Sequence, residues 1–402
     1  MAAITVVNFG YMHLNYHPLH KLTGQLHLWL GMASGLVIMI VGITGCIYTF
    51  IDEIRPIVYR DRIFIDPPKA NQKMLPLQKL KATAQQALNK KVPLMDIEIF
   101  TDRKHTMVFR YRNRDDNANL YTNYFINYDK VYLNPYTGKI IRVEDTKWEF
   151  FNVIVMLHCT LLLGNAGKQI ITWATVIFIF LLFSGLLLWW PKNKAASKKR
   201  FIFKWKPTTA WKRKNYDLHQ ILGFYIFIIA FFVALSGLSM ILPKVDSSIQ
   251  YLTNLGQTGQ QHSMTHTSHM GGHVNEVQES SGSLNEIADH AASINPNSVK
   301  YRVFTPQSAT DPLIIKNYKD QSSHYPYLQD QYSQSTARHT STTYFSDLSA
   351  GAKVHEVTYD IHVGALLGVP GKILVFFTSL ITASLPISGL FIWIGRRKKN
   401  IK

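Results

Sequence analysis

Four stretches of the chain, about 26–50, 170–190, 218–242 and 373–394, carry nearly unbroken apolar side chains. Each has roughly the 20 residues that a helix needs to cross a hydrocarbon layer about 30 Å thick. Soluble core helices seldom run so far without a charge, so the pattern predicts four transmembrane helices. Two long regions between them, about 51–149 and 243–354, have a different grammar. In the first, 77–89 has helical spacing, 97–112 and 121–128 alternate like strands, and 131–140 reads as strand, Asn134-Pro135 turn, strand. In the second, 284–292 reads as a helix and 343–354 as a degenerate copy of the strand-turn-strand. Each region is therefore expected to form a small α+β domain.

The apolar segments also repeat. Leu157-His158-Cys159 opens a motif with Gly164, Gly167 and Lys168, then Ser184-Gly185 and Trp189. Ile361-His362-Val363 opens the same series with Gly368, Gly371, Lys372, Ser388-Gly389 and Trp393, at a constant offset of 204 (158 to 362). His27, Gly31 and Thr44-Gly45 return as His219, Gly223 and Ser236-Gly237 at an offset of 192 (27 to 219). The expected architecture is two duplicated halves, each running helix, exported domain, helix, related by an axis along the membrane normal. Residues 150–190 and 355–394 each exceed one span, so His158 and His362 are expected in interfacial segments broken from the helices at their glycines.

Charged residues are 17% of the chain, yet the formal net charge is +18. The excess sits in 191–217, where Lys and Arg are the charged residues up to Lys214, and in Arg396-Arg397-Lys398-Lys399 of the tail 395–402. By the positive-inside rule both segments are cytoplasmic, as is 1–25, and the two domains lie outside. A bacterial inner membrane with multi-pass topology is the expected location, its lipids the first partner. Short membrane-flanking basic segments do not call for nucleic acid. Residues before the first span lack an apolar core with a cleavage site, so that span reads as an uncleaved anchor. Cys46 and Cys159 supply no disulfide framework, and no nucleotide-binding glycine motif is present.

Ionisable residues at membrane depth are functional by default. A two-fold between the halves brings His27 to His219 at one face and His158 to His362 at the other. Paired neutral imidazoles are the axial ligands of a low-spin b-type haem, whereas a single such His reads as interfacial. Small Gly31, Gly223, Gly164 and Gly368 suit close helix packing with or without a macrocycle. His355, seven residues before His362 and on the same face of a helix, is an alternate ligand. His262, His266, His269 and His273, with Met264 and Met270, lie in a Ser/Gly/Gln-rich insert, 257–283. They are weak candidates for copper or zinc, and a polar linker is the plainer reading.

The Leu26–Gly31 pattern, the His158 motif through Trp190-Pro191, and the turn Asn134-Pro135-Tyr136-Thr137-Gly138 resemble the PepSY-associated transmembrane helix family. It includes iron-regulated inner-membrane proteins and siderophore reductases of the ferrioxamine-reductase type. The resemblance covers about 20–398 and implies b-type haem between membrane helices and PepSY-type outside domains. On that basis the chain is expected to be an oxidoreductase with two haems b. It would carry electrons from quinol or a cytoplasmic donor to a ferric siderophore or another periplasmic iron chelate. No acid–base residues are required of it, because the cofactor does the chemistry. The alternative from another class is a non-enzymatic scaffold or sensor that binds a peptide, peptidase or metal.

Overall fold

A computed structural model describes residues 16–191, 200–257 and 284–397, apart from 307, 309, 310 and 322. Four helices have the length and hydropathy to cross a membrane: α1 (Tyr16–Thr49), α5 (Gly164–Trp189), α6 (Trp211–Ile241) and α10 (Gly368–Arg397). Their apolar side chains are largely uncovered, Leu36 at 65%, Phe180 at 64% and Ile228 at 61% exposure. Such surfaces are stable only against lipid. The four form a closed ring, α1 against α10 and α5, and α6 against α10 and α5. Small residues allow the closest approach, where a Cβ on Gly42 would meet Ser379 O at 2.9 Å.

Short helices connect the spans to a sheet. These are α2 (Ile51–Val58) and α4 (Phe150–Thr160) in the first half of the chain, and α7 (Pro243–Thr253) and α9 (Ala350–Val363) in the second. The expected breaks before spans two and four exist. In the first, Leu161 and Leu162 take φ of 51° and 59°, and Gly164 follows at 51°. Any Cβ at Gly164 would lie 1.9 Å from Ala118 O, so glycine is obligatory there. Gly364, at φ 80°, does the same work after α9.

The two outside regions do not form separate domains. Their strands join into one antiparallel sheet of order β4-β3-β2-β1-β5-β6-β7-β8. These are β1 (Leu94–Phe100), β2 (Met107–Arg114), β3 (Phe125–Leu133), β4 (Ile140–Asp145), β5 (Lys300–Phe304), β6 (Leu313–Tyr318), β7 (Leu328–Tyr332) and β8 (His339–Tyr344). The seam is β1 against β5, with Ile97 opposite Val303. Helices α3 (Leu77–Leu88) and α8 (Leu284–Ile294) cover one face through Leu80, Ala84, Ile287 and Ala291. That apolar alternation explains why one face is a core. The other face is charged. Buried Asp96 binds Arg110 at 2.7 Å and Arg302 at 3.0 Å, a network that crosses the seam.

One expected element is corrected. Residues 343–354 are not the second strand-turn-strand; they finish β8 and enter a 3-10 turn and α9. The true counterpart of Asn134–Lys139 is the β7–β8 turn. Ser333 N donates to Arg338 O at 2.9 Å, as Asn134 N does to Lys139 O at 2.9 Å. Ala337 replaces Gly138 in the left-handed position, which hid the repeat from its sequence.

Candidate functional site

The four repeat histidines are brought together in the expected pairs. The ring centroids of His27 and His219 are 6.3 Å apart with planes at 86°. Those of His158 and His362 are 6.1 Å apart at 71°. One pair lies toward the basic-loop end of the bundle and the other toward the sheet. His158 docks on Thr44, which follows His27 by 17 residues along α1. At 1.5 Å per residue the pairs are separated by about 25 Å along the helix, most of a hydrocarbon layer.

Each ring sits in the same kind of seat, made by its own half of the chain. His27 Nδ1 is 2.8 Å from Ser184 Oγ, and His219 Nδ1 is 2.8 Å from Ser388 Oγ. His158 Nδ1 is 3.0 Å from Thr44 Oγ1, and His362 Nδ1 is 3.1 Å from Ser236 Oγ. The glycine after each hydroxyl residue lies under the ring. A Cβ added to Gly185, Gly389, Gly45 or Gly237 would lie 3.3, 3.4, 3.4 or 3.1 Å from the imidazole Cε1. The Thr/Ser-Gly steps that marked the repeat in sequence are thus imidazole holders. Their role was not read from the sequence, although their equal spacing was visible. Gly31 and Gly223 instead face Leu181 and Leu385 of neighbouring helices.

The hydrogen bonds also set the tautomer. Every seat hydroxyl donates its own proton back to its helix: Ser184 to Leu181 O, Ser388 to Leu385 O, Ser236 to Val233 O and Thr44 to Ile40 O. A hydroxyl that spends its one proton on that carbonyl is left to accept from the ring. His158 Nδ1 also lies 3.0 Å from Val41 O, and His362 Nδ1 2.9 Å from Val233 O, and carbonyls never donate. At His158 and His362 Nδ1 is therefore the protonated nitrogen, and Nε2 carries the lone pair a metal needs.

The spacing and donor set fit haem. Two nitrogens each about 2 Å from one metal place their ring centroids roughly 6 Å apart. A bare zinc or copper ion takes three or four protein ligands. Among the described residues no three His, Cys, Asp or Glu side chains converge. Two imidazoles from different helices at this centroid spacing match the donor set of an iron whose remaining positions a macrocycle would fill.

The chain matches the family model "PepSY-associated TM region" over residues 25–396. It belongs to that family. No curated protein matches it. In this family member the matched region takes in all four spans and the sheet.

Other candidates are placed elsewhere. His355 is tied to a carboxylate; its Nδ1 is 2.8 Å from Asp246, which holds its pKa above the ordinary value despite burial. His262, His266, His269 and His273 lie outside the described residues. A charged cluster missed in the sequence sits near the sheet-side pair. Buried Lys372 binds Asp52 at 3.1 Å and Glu53 at 3.0 Å. His324 bridges Asp52 at 3.2 Å and Asp360 at 2.7 Å, two residues before His362. Burial alone would lower the His324 pKa, but hydrogen bonds to both carboxylates push it up to about 9. Asp52 is correspondingly held far below the carboxylate range, against its own burial. These residues come from α2, a sheet loop, α9 and α10, so sequence spacing gives no hint of their meeting.

Proposed function

We propose that this protein is a haem b electron carrier of the bacterial inner membrane that reduces a ferric siderophore or similar chelate on its outer side. One observation carries the reading: two imidazole pairs at two depths, each ring with Nδ1 tied and Nε2 available. His27 with His219, and His158 with His362, would hold the two haems. Haem bound there supplies one-electron Fe(III)/Fe(II) chemistry. The chain's own work is to fix the rings, keep them neutral and exclude water with the surrounding apolar helices. Two pseudo-equivalent halves supply one ring to each pair, which places the pairs on the axis between them.

The basic segments assign the loop end to the cytoplasm and the sheet to the periplasm. The substrate is then a ferric chelate outside. Its reduction to Fe(II) weakens hard-oxygen ligation, because the smaller charge binds those oxygens less strongly. The charged underside of the sheet and the Asp52–His324–Asp360 cluster flank the sheet-side pair, where that acceptor would arrive.

The test is a spectrum. Full-length protein from haem-replete cells should show a Soret band that shifts on dithionite. In vesicles with reductant inside, it should yield Fe(II) from an external ferric hydroxamate, trapped by ferrozine. Colourless protein from such cells would sink the haem reading and favour a scaffold or sensor. Haem with no chelate reduction would sink the substrate assignment alone.

A further inference from the structure

Beside His219, on the lipid-facing side of the contact between α6 and α10, is a cavity of about 250 Å³. Trp211, Asn215, Leu218 and Leu222 line it from α6, and Ser388 and Phe391 from α10. Trp211 at 63% and Phe391 at 53% exposure leave its mouth open to lipid. The walls are apolar, and the floor is not. Asn215 is 5% exposed, and its Nδ2 donates to Ser388 O at 2.9 Å. Its Oδ1 has no hydrogen-bond partner among the described residues. A nearly buried amide oxygen without a partner is costly unless something donates to it. Ser388 is also the residue whose hydroxyl holds His219.

The repeat shows what is particular to this cavity. At the 192 offset, Asn215 corresponds to Thr23, whose hydroxyl is used up on Leu19 O at 2.9 Å. At the 204 offset, Ser384, also in the lining, corresponds to Phe180. Two substitutions therefore change one spot next to a ring pair: Ser384 is smaller than Phe180 and spends its hydroxyl on Ile381 O at 2.7 Å, while Asn215 keeps an acceptor oxygen to spare. The volume is near the lower end of small-molecule sites, room for one ring rather than a dinucleotide.

We propose that this cavity binds the head group of a membrane quinol, with a ring hydroxyl donating to Asn215 Oδ1 and the tail passing Phe391 into lipid. The inference rests on the haem reading above and names the electron donor for it. Oxidation of one quinol to quinone releases two electrons and two protons. A one-electron iron carrier, if held by His27 and His219, would take the electrons one at a time, and the protons would leave to water at the basic-loop end. A donor already in the membrane needs no nucleotide site in the chain.

The test uses the full chain in detergent, with and without haem, and decylubiquinone as probe. Binding is followed by tryptophan quenching, with W211F identifying the signal from the cavity. Saturable binding is expected, at least tenfold weaker in N215T and lost in S384F, which restores the first-half side chains. In haem-loaded protein, decylubiquinol should reduce the wild type but not S384F, while dithionite still reduces both and so shows that S384F is folded. Unsaturable binding in the wild type would mean a lipid groove only and would overturn the proposal. Wild-type binding in both N215T and S384F would overturn it as well. Saturable binding with no Soret band in any preparation would support the cavity and refute the haem reading instead.

Discussion

The imidazole seats make a sharp prediction at Gly237. Its missing Cβ would lie 3.1 Å from Cε1 and 3.6 Å from Nδ1 of His362, so Gly237→Ala must push that ring aside by a few tenths of an ångström. The shift stretches the bonds from Nδ1 to Ser236 and Val233 O that orient the ring. Alanine gains about 1 kcal/mol of helix propensity over glycine, while overpacking costs about 1–3 kcal/mol. Net folding stability therefore falls by about 0–2 kcal/mol, and the larger loss falls on ligation. Disturbing a partner that orients a metal-bound histidine typically costs about 10–100-fold in affinity. Gly223→Ala on the same helix is the control, since its Cβ would be 4.0 Å from Leu385 Cδ1. Haem per chain, counted by pyridine haemochrome after extensive washing, should fall toward half in Gly237→Ala and stay at the wild-type value in Gly223→Ala. Equal haem in the two variants would refute the seat argument.

Three other outcomes are expected. Ser184→Ala removes the hydroxyl 2.8 Å from His27 Nδ1 and should weaken haem retention at the loop-side pair by about 10–100-fold, with the sheet-side pair unaffected; competition with apomyoglobin measures this. Asp96→Ala leaves Arg110 and Arg302 facing each other in a buried seam and should cost about 3–5 kcal/mol, on the order of 10 °C in melting temperature. His324 has its folded-state pKa raised to about 9, above the ordinary 6.5. Its contribution to stability is therefore complete below about pH 6.5 and is lost as pH rises through about 9. Melting temperature should decline across that window, and His324→Gln should flatten the decline.

The spans and ring pairs were legible in the sequence because lipid imposes a coarse rule. Twenty apolar residues and a fixed repeat offset need no knowledge of packing. His27, His158, His219 and His362 were identifiable because each recurs at a fixed offset together with the same Gly and Ser/Thr positions. What local pattern could not show was how two similar modules meet. The seam of β1 with β5 is carried by Asp96, Arg110 and Arg302, residues far apart in sequence whose pairing depends on tertiary placement. The turn at Ser333–Arg338 was missed for the opposite reason. Its hydrogen bonds persist while the Asn-Pro and Gly signals that announce them are gone. Thr44, Ser184, Ser236 and Ser388 were visible as register marks, yet a hydroxyl reveals its partner only when a neighbouring helix supplies a ring.

Shared ligation of one iron by rings from the two halves is most directly measured by counting haem in single and double variants of one pair. His27→Ala and His219→Ala should each remove the same haem, and the double variant should remove no more than either alone, leaving the His158 and His362 site filled. Additive losses, or a wild-type haem count in any of the three, would contradict the account.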